Sequence, residues 1–227
     1  MLRYPAPALT KFNAKEAQGA KDAGADVIVA QGSDAGGHGL INSASIISLV
    51  PEIISAVPGI PVLAAGGISD ASGVLAGLAL GADAVVMGTR FATSKESAMA
   101  DKAKNAIIQT RDGGVSTKRY HICHHNLIIE LGCLIIFEGR GIGSKHAMDE
   151  RLSMIRFVTG RIGVSESELE KKYDTAVKEA DYNRLVVYAG TGSGLVTKQQ
   201  TVAEILDEVE EQFAEKVKSV NKHLSML

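Results

Sequence analysis

Apolar residues fall along this chain in two patterns, and the switch between them marks its elements. Residues 27–30 (Val-Ile-Val-Ala) are a continuous, β-branched apolar run that ends at Gln31, and they predict a strand. The same grammar returns at 60–68 (Ile-Pro-Val-Leu-Ala-Ala-Gly-Gly-Ile) and at 82–91 (Ala-Asp-Ala-Val-Val-Met-Gly-Thr-Arg-Phe). Between these runs the apolar spacing becomes helical. Ile46, Ile47, Val50, Ile53 and Ile54 predict a helix over 43–56, and Val74, Leu75 and Leu78 predict one over 70–80. A further helix is expected over roughly 13–22, with Asn13 as its N-cap and Gly24 at its C-terminal stop. On this reading the first strand begins at about residue 26.

Strands joined through single helices run parallel, so the ends of all three predicted strands lie on one edge of the sheet. Each end carries glycine: Gly36-Gly37 beyond the first, Gly66-Gly67 after the second, Gly88-Thr89 after the third. Converging loops of this kind are how parallel α/β folds build a site. The first loop also holds one titratable residue, His38, next to Gly37 and Gly39. An imidazole there can move protons near neutral pH. Gly66-Gly67 and Gly88-Thr89 precede helical segments, where free amides and the positive end of the helix dipole favour a phosphate. The residues by themselves do not separate a sugar phosphate from a flavin phosphate.

Taken in order, Gln31-Gly32-x-x-Ala35-Gly36-Gly37-His38, Ala64-Ala65-Gly66-Gly67-Ile68-Ser69-Asp70 and Met87-Gly88-Thr89-Arg90-Phe91 resemble the three signature loops of the nitronate monooxygenases, formerly called 2-nitropropane dioxygenases. The resemblance is close over about 24–116. It resumes around 184–205, where Arg184-Leu185 and Tyr188-Ala189-Gly190-Thr191-Gly192-Ser193-Gly194-Leu195-Val196 resemble the fungal branch. It implies an FMN-dependent enzyme of α/β class, formed by the C-terminal part of a (β/α)8 TIM-type barrel (about three β/α units) with a helical C-terminal region. It implies His38 as the catalytic base. It also implies Gln31, Gly36, Gly37, Gly66, Gly67, Met87, Gly88 and Thr89 as cofactor-binding residues, with Gln31 and Gly36 against the flavin and Gly67 and Met87 to Thr89 at its phosphate end. The implied reaction is oxidative denitrification of a nitronate or nitroalkane by O2 to a carbonyl compound and nitrite. A base with a pKa near the working pH can take the acidic proton beside a nitro group. FMN-dependent enoyl-acyl carrier protein reductases share the Gly-Gly-His and phosphate loops and stand as the alternative. A non-catalytic remnant that needs a partner is the other.

Two features depart from that pattern. In the family the three units resemble the last strands of the barrel, so about five of the eight units have no counterpart here. The chain therefore reads as a fragment, a shortened product or one half of a homodimer. The run Lys118-Arg119-Tyr120-His121-Ile122-Cys123-His124-His125-Asn126, with the apolar 127–137 that follows, is unlike the family and reads as an irregular insert; resemblance returns at Gly139-Arg140-Gly141. His121, Cys123, His124, His125 and Cys133 fit no standard structural zinc spacing, and no metal is assigned. In the C-terminal part the stretch 190–194 reads either as part of the site or as a flexible connector. There Ser165-x-x-Glu168 and Thr201-x-x-Glu204 are capping-box signals, and Val202, Ile205, Leu206, Val209, Phe213, Val217 and Val220 mark a helix face that docks on the barrel, forms a small second domain or meets a partner helix.

Composition narrows the class without naming it. A net charge of −2 over 227 residues gives no nucleic-acid or acidic-lipid footprint. Zero tryptophans and 4% aromatics argue against a base-stacking surface. Two cysteines, no apolar leader and no membrane-length apolar run suggest a cytoplasmic protein. Three regions are expected: 1–116 as a partial flavin-binding barrel, 117–160 as a divergent connector, and 161–227 as a helical region packing on the barrel.

Overall fold

The computed structural model describes residues 8–39, 43–113, 117–123, 136–142, 175, 178–179 and 187–226; for 38–39, 117–123 and 136–142 the description is of the backbone. A parallel sheet organises the first half. Strands β1 (Ala8–Lys11), β2 (Val27–Gln31), β4 (Val62–Ala65) and β5 (Ala84–Val86) lie side by side in that order, every pair parallel. Helices α1 (Ala14–Asp22), α2 (Ile46–Ala56) and α3 (Ala71–Ala79) connect them. The three strands expected from sequence are all present, and the structure adds β1. The chain therefore contributes four parallel strands, and its first strand begins at Ala8 rather than near residue 26.

Register explains the core. Ile28 lies opposite Val62 and Ala30 opposite Ala64, and all four side chains are buried. Ala17 and Ala20 of α1 and Leu49, Val50 and Ile53 of α2 cover the same face. A fully buried Leu, Ile or Val stabilises the fold by about 1.5–3 kcal/mol relative to exposure. Small alanines on α1 let that helix lie close to the sheet. Asn13 caps α1 by accepting from Glu16 N at 2.9 Å, while the Glu16 carboxylate accepts from Phe12 N at 3.2 Å. The chain leaves α1 through Gly24, which takes the left-handed φ of +87°.

A second, antiparallel sheet flanks the first loop. Its strands are β3 (Gly37–Gly39), β6 (Thr117–Cys123), β7 (Ile136–Ile142) and β8 (Val187–Tyr188). β6 covers β7 along its length from Ile142 to Ile136, whereas β3 and β8 share its other edge. The expected irregular insert thus includes two paired strands, because backbone groups of 117–123 find ladder partners in 136–142. His124, His125 and Cys133 lie outside the described residues, as do Ser165 and Glu168. Among the described residues, no group of three or more His, Cys, Asp or Glu is placed to hold a metal ion.

Short helices α4 (Thr89–Ala92) and α5 (Asp101–Gln109) follow β5. After β8 comes a 3-10 turn, Thr191–Leu195, and then the long helix α6 (Val202–Leu224). The predicted capping box is formed: Glu204 N donates to Thr201 Oγ1 at 3.1 Å, and Thr201 N donates to Glu204 Oε2 at 2.6 Å. α6 packs against α3. A second apolar cluster joins Ala103 and Ile107 of α5 to Val187, Ala189 and Val196. That cluster fixes the segment 187–196 beside the ends of the parallel strands. No helix among the described residues is long and apolar enough to cross a membrane.

Candidate functional site

The C-terminal ends of β2, β4 and β5 open onto one cleft of about 280 Å³. Gln31 and Gly36 reach it from the first loop, Gly66 and Gly67 from the second, Gly88 and Thr89 from the third. Six of the nine residues expected at the site are therefore brought together around one space. Gly37 begins β3 directly after Gly36, and His38 sits on that strand opposite Gly139 of β7. Met87 turns away, and its side chain packs against the main core.

Local hydrogen bonding shapes each loop. Gly32 N donates to Ala65 O at 2.9 Å, which continues the β2–β4 ladder into the first loop. Ser33 N donates to Ala44 O at 2.7 Å, and Ala35 N donates to Gly32 O at 3.1 Å. The Asp34 carboxylate accepts from Ser45 Oγ at 3.0 Å, just before α2. Gly67 holds the second loop in the left-handed region at φ +70°, which a side-chain-bearing residue adopts only with strain.

The fourth wall comes from the far end of the chain. Thr191 N donates to Asp34 O at 2.9 Å, and Gly190 N donates to Thr89 Oγ1 at 2.9 Å. Gly36 and Gly190 meet backbone to backbone: a Cβ on Gly36 would lie 2.6 Å from Gly190 N, and one on Gly190 would lie 2.6 Å from Asp34 O. The stretch 190–194 is thus a built part of the site and not a connector. Tyr188, Gly190 and Gly192 line the cleft with it. The sequence signal for this wall was its own glycine spacing, Gly190-x-Gly192-x-Gly194.

The cleft is polar through its backbone. Among the described residues, no Asp, Glu, Lys or Arg side chain lines it. Among the described residues, the amides of Gly67 and Gly88 make no hydrogen bond. At the start of α3 one of the expected amides is engaged, because Asp70 caps that helix and accepts from Gly73 N at 2.9 Å. The donors available to an anion include the loop amide of Gly67 and those that open α4. Ser69 adds a hydroxyl at the cleft, 1% exposed, whose Oγ has no partner among the described residues.

Parallel strands linked by helices, with glycine loops enclosing a cleft at their C-terminal ends, are the arrangement of a segment of a TIM-type barrel. The chain's solved relatives share that architecture. FabK from Thermotoga maritima superimposes with a TM-score of 0.74 at 26% identity, over 95% of this chain and 63% of that one. Nitroalkane oxidase from Streptomyces ansochromogenes shares the fold, with a TM-score of 0.68 at 23% identity over 94% of this chain and 58% of that one. Residues 8–212 match the family model for nitronate monooxygenase, and the chain belongs to that family. The nitronate monooxygenase of Neurospora crassa is 34% identical over 212 residues, covering 91% of this chain and 53% of the relative. The chain spans about half the length of the curated relatives it matches.

Proposed function

We propose that this chain carries the phosphate end of an FMN site and the catalytic base of a nitronate monooxygenase. The substrate would be a nitronate or nitroalkane, with O2 as oxidant and a carbonyl compound and nitrite as products. One observation supports the reading most: three glycine loops face a single cleft with unengaged backbone amides and, among the described residues, no charged side chain. Amides at loop and helix starts bind phosphate without a cationic side chain. A cleft of about 280 Å³ lies at the lower edge of small-molecule sites, roughly 300–1,000 Å³, and suits a phosphate with its sugar rather than a whole flavin.

Gly67, Gly88 and Thr89 would hold the phosphate, and Gln31 and Gly36 would lie toward the flavin ring. Bound there, FMN supplies the redox chemistry between an organic anion and dioxygen. His38, two residues beyond Gly36, serves as the base that takes the proton from the carbon beside the nitro group. Once protonated, the same imidazole is a charge partner for an anionic nitronate.

Titration of the purified chain with FMN, followed by quenching of flavin fluorescence, tests the first half. Saturable binding is expected, weaker by more than about tenfold in Gly67→Asp than in the uncharged Gly67→Asn, because like charges about 4 Å apart repel by several kcal/mol near a protein surface. Absence of saturable binding overturns the reading. Nitrite release tests the second half: His38→Asn should lose turnover of the neutral nitroalkane. An unchanged rate removes His38 as the base, and turnover with NADH but not nitronate favours enoyl reductase-like chemistry instead.

A further inference from the structure

Arg90 follows Thr89 directly, yet its side chain leaves the cleft and is 3% exposed. Its Nη2 donates to Gln200 Oε1 at 2.6 Å and to Glu208 Oε1 at 3.1 Å, 110 and 118 residues away in the chain. Gln200 Nε2 donates to Glu208 Oε2 at 2.7 Å, so the three side chains close a ring. Lys198 Nζ completes it at 2.9 Å from Glu208 Oε2. Two further ties bind the same stretch to the start of α6. Lys95 N donates to Gln200 O at 2.8 Å, and Val202 N donates to the Glu96 carboxylate at 3.0 and 3.1 Å.

Arg90 depends on this ring. Both of its bonds leave from one nitrogen, and Nε has no partner among the described residues. A buried cation so placed is held only while Glu208 stays charged. The carboxyl of Glu208 is suited to that, since its hydrogen bond with Lys198, helped by Gln200 and Arg90, holds it below the ordinary glutamate value. On the opposite side of the loop, Gly190 N grips the Thr89 hydroxyl. The loop is thus fixed from two directions, and neither grip blocks the amide of Gly88.

We propose that Arg90, Gln200 and Glu208 are positioning residues that hold the Gly88–Thr89 loop in its phosphate-accepting shape, so that α6, no residue of which lines the cleft, sets affinity for a phosphate monoester. The inference rests on the FMN reading for its ligand and on the loop alone for its mechanism. A ligand phosphate must meet fixed amides, and displacement of such donors by about 1 Å costs on the order of a hundredfold in systems that rely on positioning.

The test compares the full chain with Glu208→Gln, which keeps the side chain's shape and removes its charge. Lys95→Ala, at an exposed pair on the same face, serves as the control. Two readouts are taken: hydrogen exchange over 87–94 in the ligand-free chain, and affinity for FMN against riboflavin, which lacks the phosphate. Glu208→Gln should speed exchange over 87–94 and leave 62–66 unchanged. It should weaken FMN by about tenfold or more and riboflavin by less than about twofold, while Lys95→Ala changes neither. Unchanged exchange over 87–94, or equal weakening of both flavins, overturns the inference. If the unaltered chain binds no flavin but Glu208→Gln still loosens 87–94, the clamp stands and the FMN reading falls. Should Glu208→Gln fail to fold, Gln200→Met removes one arm of the ring and is judged by the same outcomes.

Discussion

Gly190→Ala isolates the contact that joins the two ends of the chain. Gly190 has φ −82°, which alanine adopts freely, so backbone strain is not part of the effect. The added methyl would sit 2.6 Å from Asp34 O, 3.0 Å from Gly36 N and 3.4 Å from Ala35 C. All three are backbone atoms and cannot swing aside like the end of a side chain. Relief requires the 190–194 turn to retreat from the first loop, which stretches the bonds from Thr191 N to Asp34 O and from Gly190 N to Thr89 Oγ1. Overpacking of this kind costs about 1–3 kcal/mol, and each bond weakened adds up to about 0.5–1.5 kcal/mol. The expected loss is about 2–3 kcal/mol, read as a lower urea midpoint at unchanged slope. Gly19→Ala gives the opposite sign. Gly19 lies inside α1, exposed, with no atom within 4 Å of its added Cβ, so alanine should stabilise by about 0.5–1 kcal/mol. If Gly190→Ala leaves the midpoint where it was while Gly19→Ala raises it, the turn does not pack on the first loop, and the four-walled cleft is wrong.

Three other outcomes follow from the same geometry. Ser69→Ala deletes a buried hydroxyl with no partner among the described residues, so the urea midpoint should hold or rise; a fall of more than about 1 kcal/mol would reveal a partner for that oxygen. The Glu208 carboxyl is held below its ordinary value of 4.5, so its contribution is whole above that value and disappears as pH falls through the lower folded one; midpoints from about pH 7 to pH 3 should drop less steeply in Glu208→Gln than in the unaltered chain. Among the described residues no charged side chain lines the cleft, so FMN affinity should change by less than about threefold between low and high salt; a tenfold loss would place Lys or Arg at the phosphate.

The interior strands were legible because they read as continuous apolar runs. Val27–Gln31 and Val62–Ala65 are of that type and lie side by side at the centre of the sheet. β1 was not legible: Ala8-Leu9-Thr10-Lys11 is short, mostly exposed and at the sheet edge, so neither apolar periodicity nor β-branching marks it. It is a strand because it can pair with β2, and pairing is a tertiary fact. The Asp70 cap had a signal, an aspartate just ahead of a helical pattern, which the anion reading of that helix start passed over. The position of 190–194 was signalled by its glycines and by the family resemblance over 184–205. Its decisive hydrogen bond crosses 101 residues, and no local pattern carries such a distance.

That distance also explains why the cleft is built from glycine. Two segments remote in sequence meet backbone to backbone at Gly36 and Gly190, and a side chain on either would hold them apart. The close approach leaves peptide groups as the chemistry of the walls, and peptide amides are fixed donors that carry no net charge. Such donors bind an anion only if they do not move, which requires support from outside the cleft. The apolar cluster of α5 with Val187, Ala189 and Val196 braces one wall, and the Arg90 ring braces the other. Charge is therefore present at this site but one layer out, on Arg90, Lys198 and Glu208, where it fixes the loop and leaves recognition to the amides.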